Sequence, residues 1–168
     1  LIANRGEIAM RIIRSAKSLG YSTVAIYSQA DADLPHVASA DYAICVGSAV
    51  AKDSYLSIPK VIEAAVRAGA QAVHPGYGFL SESAEFASAC KEVGLVFVGP
   101  SPEAIRSMAD KSTAKQLMHD HGVPCIPGYD GSTQSDSVMK QEADRIGFPV
   151  MIKAVAGGGG KGMRLVPS

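Results

Sequence analysis

Lys153 and Lys161 bracket four consecutive glycines, Gly157, Gly158, Gly159 and Gly160, in the stretch VMIKAVAGGGGKGMRLV spanning 150–166. Successive backbone N–H groups with no Cβ in the way can form a nest for an anion, and lysine adds a point charge. Each ordered glycine costs about 0.5–1 kcal/mol relative to alanine, so five within six positions (Gly162 is the fifth) are wasteful for a plain turn, which a hairpin makes with a two-residue loop. The residue types point to phosphate. A Walker loop would follow its Gly-Lys with Ser or Thr at the mouth of a helix. Here Gly162 follows, and Met163-Arg164-Leu165-Val166 has the pattern of a strand. The expectation is a flexible β-hairpin flap; the bland alternative is a glycine-rich linker, which the apolar flanks disfavour.

A second constellation is His74-Pro75-Gly76-Tyr77-Gly78-Phe79-Leu80-Ser81-Glu82. It follows a strand, where parallel α/β sheets bind their ligands. Tyr77, Ser81 and Glu82 offer polar groups there, while Phe79 and Leu80 read equally as inward packing of a structural turn. Asn4-Arg5-Gly6-Glu7 follows the first strand but lacks dinucleotide-fingerprint spacing. Helix capping is the favoured reading, because Glu7 suits the helix dipole and would repel a phosphate. Lys111, in Asp110-Lys111-Ser112, reads by itself as a solvated lysine.

The elements that must carry these residues alternate. Leu1 to Ala3 ends a strand, and a helix follows over Glu7–Leu19 with Ile8, Ile12, Ala16 and Leu19 inward. Strands are expected at 23–27, 42–46, 70–74 and 96–98. Helices are expected at 58–67, with Val61, Ile62, Ala65 and Val66 inward, and at 83–92, with Phe86, Ala87 and Cys90 inward. This is an α/β pattern with a parallel sheet and helices on both faces. After Pro100 the organisation changes: short helices at 102–108, 112–121 and 136–146, a polar loop at 128–135, then the hairpin. A domain boundary is placed near Asp110, dividing 1–109 from 110–168.

Composition bounds the rest. The chain has 168 residues, with 47% hydrophobic and 19% charged, which is ordinary globular usage. Sixteen basic and sixteen acidic residues cancel, so no global field recruits nucleic acid or a membrane surface. No run of eighteen apolar residues suggests a transmembrane helix. Cys45, Cys90 and Cys125 lack metal-like spacing and read as reduced, buried thiols. No metal site is expected. The chain opens at Leu1 inside a strand and stops after a hairpin that would not be stable alone, so we expect a piece, or the ordered part, of a longer protein.

ANRGEIA (3–9), HPGYGFLSE (74–82), VGPSPEAIRSMADKSTAK (98–115) and PVMIKAVAGGGGKGMR (149–164) together resemble the biotin carboxylase subunit or domain of biotin-dependent carboxylases, collinearly over the whole chain. In detail the sequence looks most like the methylcrotonyl-CoA and geranyl-CoA carboxylases. The resemblance implies a Rossmann-like N-terminal domain followed by the start of an ATP-grasp domain with its glycine-rich flap. It implies that Lys111 and Lys153 bind ATP, which overturns the bland reading of Lys111. Gly159 and Gly160 match flap positions touching phosphate, and Met151 and Met163 match walls of the adenine pocket. Tyr77, Gly78 and Glu82 match the loop facing biotin and bicarbonate. Arg11 and Arg14 match a dimer-forming helix face in dimeric members, while Ser18 replaces an acid found in some of them. The implied reaction is ATP-dependent carboxylation of biotin through carboxyphosphate, the first half-reaction of an acyl-CoA carboxylase. The implied cofactors are ATP, Mg2+ and biotin on a carrier domain. The implied partners are that carrier, a carboxyltransferase subunit and a second copy of the chain, in the cytoplasm or, in a eukaryote, the mitochondrial matrix. Catalytic and metal-binding residues are expected beyond Ser168, leaving residues 1–168 inert by themselves. A different ATP-grasp carboxylate ligase, a non-catalytic ATP-grasp relative and a dinucleotide module are the alternatives.

Overall fold

The computed structural model of the chain describes residues 1–153 and 162–168, and for Lys111 only the backbone. The glycine-rich expectation for Gly157–Gly160 and Lys161 therefore lies outside the described residues. Two compact units are present, Leu1–Arg106 and Ser107–Ser168.

The first unit is built on parallel pairing. Strand β1 (Val24–Ser28) pairs in parallel with β2 (Tyr42–Gly47), and β3 (Ala72–Val73) pairs in parallel with β4 (Val96–Phe97). Ile2 joins the two pairs, bridging Ala25 on one side and His74 on the other, both parallel. The lateral order is thus β2, β1, residues 1–3, β3, β4. The order reverses direction at residues 1–3, so the crevice between the ends of that segment and β3 is a topological switch point.

Alternation along the strands sorts the core into two layers. Ile2 and Ala25 pack with Ala9 and Ile13 of helix α1 (Gly6–Ser18). Ala3 and Ile26 face the other way, towards Val61, Ala64 and Ala65 of helix α3 (Ile58–Arg67) and Phe86 and Cys90 of helix α4 (Ala84–Glu92). Helix α2 (Pro35–Ser39) lies between β1 and β2 in sequence; it falls where the sequence suggested only a connection. The α/β expectation holds, with corrections in detail. The buried stripe of α1 is Ile8, Ala9 and Ile13, whereas Leu19 follows the helix and is 72% exposed. In α3, Ala64 replaces Val66 on the inner face, and Val66 is exposed. Both corrections follow from the roughly 100° turned per residue, which fixes a narrower stripe than four apolar letters suggest.

The cysteine expectation is also corrected in part. All three thiols are free, but only Cys90 is buried; Cys45 is exposed on β2 and Cys125 is intermediate. Burial pushes the Cys90 thiol up to about 11, which makes it inert as a nucleophile at neutral pH. Cys45 lies on the outermost strand of the sheet, where its side chain is exposed.

The second unit holds helices α6 (Lys111–Asp120) and α7 (Asp136–Ile146) and strands β5 (Val150–Lys153) and β6 (Met163–Val166), while α5 (Pro102–Ala109) spans the division between units. Ser101 Oγ accepts from Ala104 N at the start of α5, and the Asp110 carboxylate accepts from Thr113 N at 2.8 Å at the start of α6. Each satisfies an otherwise unpaired N–H of a first turn. Lys115 meets Asp130 at 2.8 Å, and Arg145 donates to Gly128 O, so the polar loop is tied to both long helices. Strands β5 and β6 are antiparallel, with Met151 opposite Leu165 and Lys153 opposite Met163. Among the described residues no helix is long and apolar enough to cross a membrane.

Candidate functional site

At the switch point the chain leaves residues 1–3 through Asn4 and leaves β3 through His74, and the two exits are stitched together. The buried Asn4 side chain donates from Nδ2 to Pro75 O at 2.8 Å and to Tyr77 O at 2.7 Å. Gly76 N donates to His74 Nδ1 at 3.0 Å. Gly76 has φ +67°, and a Cβ there would stand 2.9 Å from Asn4 Nδ2 and 3.1 Å from Ile8 Cγ1. Glycine is therefore required both by the left-handed backbone and by the close approach of Asn4.

This stitching presents the polar residues expected from the sequence. Tyr77 is 63% exposed and Gly78 and Glu82 are exposed. The Tyr77 hydroxyl donates to Glu7 Oε2 at 3.0 Å, and that bond to a carboxylate raises the phenol above its ordinary range. Glu7 thus has a role besides favouring the helix dipole. Leu80 is buried in the core and Phe79 packs against it, so the turn is structural on one side and open on the other. The inward packing expected of Phe79 and Leu80 is present, and Tyr77, Gly78 and Glu82 are left exposed.

Sequence reasoning missed the group behind this loop. Asp31 is 5% exposed and accepts from three side chains: the Arg5 guanidinium, Ser28 Oγ at 3.0 Å and the Tyr55 hydroxyl at 2.6 Å. Burial works to raise the Asp31 carboxyl, but the hydrogen bonds from Tyr55 and Ser28 and the Arg5 charge outweigh it and hold it below the usual carboxylate range. Burial, together with the bond to Asp31, pushes the Tyr55 phenol up to about 12. The Arg5 guanidinium lies 5.9 Å from the Tyr55 ring centroid. The partners of Asp31 lie 26, 3 and 24 positions away in sequence, so no local pattern announces them. A charged Arg directly after the first strand was the available signal.

His36 sits in the same region, fully buried, with Nε2 3.3 Å from Ile26 O and Nδ1 without a partner. Burial lowers its pKa. The unfolded imidazole titrates near 6.5, so below that pH the unfolded chain binds more protons than the folded one. Stability should fall as pH drops below about 6.5 towards the lowered folded value. Burial lowers His74 as well, with the same sign. His36→Gln, which keeps a donor for Ile26 O, is expected to flatten the unfolding midpoint measured between about pH 7.5 and 5, leaving the His74 share. An unchanged slope would show that His36 binds protons equally in the folded and unfolded chain and contributes nothing to the pH dependence.

In the second unit the hairpin sorts the nucleotide candidates. Residues directly opposite in an antiparallel pair share a face, as do residues two apart on one strand. Met151, Lys153 and Met163 therefore lie on one face of the hairpin, with Leu165 beside them. Met151 and Met163 are each 44% exposed. An apolar, polarisable surface next to an ammonium fits an adenine base and its phosphates. Lys111 opens α6. Among the described residues no three His, Cys, Asp or Glu side chains are placed together to hold a metal ion.

Comparison with known proteins gives these features a family. The family described as "Biotin carboxylase, N-terminal domain" matches residues 1–105, and "Carbamoyl-phosphate synthase L chain, ATP binding domain" matches residues 110–168. The chain is 60% identical over 166 residues to the mitochondrial methylcrotonoyl-CoA carboxylase subunit alpha of Glycine max, covering 99% of this chain and 23% of that protein. The solved biotin carboxylase–β-γ-ATP complex from Campylobacter jejuni matches with a TM-score of 0.91 and 50% identity, over 99% of this chain and 37% of that one. The biotin carboxylase domain dimer of Hydrogenobacter thermophilus 2-oxoglutarate carboxylase, in complex with MgADP, ADP and bicarbonate, matches with a TM-score of 0.87 and 45% identity, over 99% of this chain and 36% of that one. With its residues 1–105 matched to the N-terminal domain and its backbone superposing on solved members, the chain belongs to the biotin carboxylase family.

Proposed function

We propose that the chain is the N-terminal part of a biotin carboxylase, with a Rossmann-like domain over 1–109 and the start of an ATP-grasp domain over 110–168. The observation that carries this reading is similarity over 99% of the chain, at 50% identity, to a biotin carboxylase solved with an ATP analogue. In the proposed reaction a bicarbonate oxygen attacks the γ-phosphorus of ATP, the bond to ADP breaks, and the resulting carboxyphosphate supplies the carboxyl group for biotin on its carrier domain. Such phosphoryl transfer depends mainly on positioning and charge stabilisation. Lys153 would contact nucleotide phosphate and Lys111 would lie at the nucleotide edge, with Gly157–Gly160 offering backbone N–H groups as the flap of that domain. Met151 and Met163 would line the base. Tyr77, Gly78 and Glu82 would face bicarbonate and biotin.

The proposed assembly follows from the same reading: a carrier domain, a carboxyltransferase subunit and a homo-oligomer in which exposed Arg11 and Arg14 of α1 contribute to the contact. The identity to mitochondrial methylcrotonoyl-CoA carboxylase subunits supports a mitochondrial matrix location in a eukaryote and an acyl-CoA as final acceptor.

The test is ADP release by the full-length protein. Turnover that requires bicarbonate and rises with free biotin is the expected result. ATP binding without either dependence would overturn the reading in favour of another ATP-grasp ligase or a non-catalytic relative.

A further inference from the structure

We propose that Tyr55, held by Asp31, Arg5 and Ser28, is a positioning residue for the Tyr77–Gly78 loop, acting through the ring of Phe79. The inference rests on the proposed function, in which that loop faces bicarbonate and biotin.

The contacts form a continuous path. The Tyr55 and Phe79 rings stack with centroids 5.0 Å apart and planes 23° from parallel. Phe79 has φ 44° and is the one non-glycine residue with positive φ among those described. A bulky side chain in that region is strained, and the surroundings must over-determine it. The Tyr55 ring supplies one wall of that constraint. Tyr55 is itself fixed at both ends of its hydroxyl, which donates to Asp31 Oδ2 at 2.6 Å and accepts from Ser28 N at 2.9 Å. Arg5 binds the other Asp31 oxygen and lies over the Tyr55 ring. Its neighbour Asn4 grips the loop from the opposite end through Pro75 O and Tyr77 O. The segment from Pro75 to Phe79 is thereby held directly by Asn4 at Pro75 and Tyr77, and at Phe79 by Tyr55, which Arg5 fixes through Asp31.

Packing alone would not call for this group. A buried charge cluster is often no more stabilising than apolar residues of similar volume, and Tyr55 is already 3% exposed within the hydrophobic core. What the hydroxyl adds is a fixed ring position, transmitted to Phe79, two residues from Tyr77. A positioned reacting geometry is sensitive to small displacements, so the effect belongs in the kinetic constants of the substrates at that loop.

The experiment uses the full-length enzyme carrying Tyr55→Phe, which keeps the ring and removes the hydroxyl. The expected result is a rise of about tenfold in KM for bicarbonate and for free biotin, with KM for ATP unchanged. Phe79→Leu, which leaves the Asp31 carboxylate paired, is expected to shift the same two constants and serves if Tyr55→Phe fails to fold. Unchanged constants for bicarbonate and biotin in a folded variant would overturn the positioning role. A parallel rise in KM for ATP would overturn it too, by showing a general structural defect. Wild-type enzyme lacking bicarbonate- and biotin-dependent turnover would instead remove the functional reading beneath it, and the two failures are distinguishable because only the second appears without mutation.

Discussion

Phe86→Ala is expected to destabilise the first unit by about 3–5 kcal/mol, the range for truncating a fully buried aromatic residue. Phe86 is 0% exposed and is the largest of the fully buried side chains. It projects from α4 into the core that holds Ile26, Val61 and Val73, and it meets Phe97 of β4 edge-on at 5.9 Å between ring centroids. Removing the ring loses both its apolar burial and that aromatic pair, and leaves a cavity that α4 and the sheet can close only in part. Native domains are stable by roughly 5–15 kcal/mol, so this one substitution removes a large share. Urea unfolding followed by circular dichroism should show a lower midpoint with an unchanged slope, the signature of lost stability rather than a changed denatured state. A loss below about 1 kcal/mol would mean that the neighbouring chains collapse into the space.

What made Phe86 readable in advance was period. It recurs with Ala87 and Cys90 at helical spacing, and those three are buried as expected. Helices α3 and α7 fall on their expected bounds, Ile58–Arg67 and Asp136–Ile146, because punctuation stands at their ends: Pro59 inside the first turn of α3 and Gly147 directly after α7. Helix α2 escaped because five residues make little more than one turn and carry no repeat. Strands β3 and β4 are shorter than their apolar runs, since pairing ends where the partner line ends. The hairpin face shared by Met151, Lys153 and Met163 follows from alternation only once the register of β5 on β6 is known.

The Asp31 cluster was illegible for the opposite reason. Its members sit in connections with no periodicity, and only the tertiary fold brings Arg5, Asp31 and Tyr55 together. Read singly, Asp31 is a loop acid and Tyr55 a core aromatic. The sequence also left Asn4 as part of a helix cap, whereas its amide reaches across the switch point to Pro75 and Tyr77. In each case the polar side chain satisfies backbone or buried groups distant in sequence, and such satisfaction is obligatory once the fold buries them.

Under the proposed function, Lys153→Ala is expected to lower kcat/KM for ATP in the full-length enzyme by about a hundredfold to a thousandfold, the range seen on removing one group that stabilises developing charge. Lys153 ends β5 opposite Met163, on the face that also carries Met151, so its ammonium stands beside the surface proposed for the base and within the run that leads to the glycines. Both terms should change. KM should rise because ground-state phosphate binding is lost, and kcat should fall because the γ-phosphoryl charge redistributes at transfer. Lys153→Arg keeps the charge but replaces a compact ammonium with a planar fork, so recovery should be partial and mainly in KM. The side chain is exposed, and an exposed substitution away from packing changes stability by about 0.5 kcal/mol or less. The melting temperature should therefore stay close to wild type while the rate constants move. Unchanged steady-state constants in Lys153→Ala would exclude the lysine from the nucleotide site. A lower melting temperature with proportionate loss of activity would show instead that the hairpin needs Lys153 to fold.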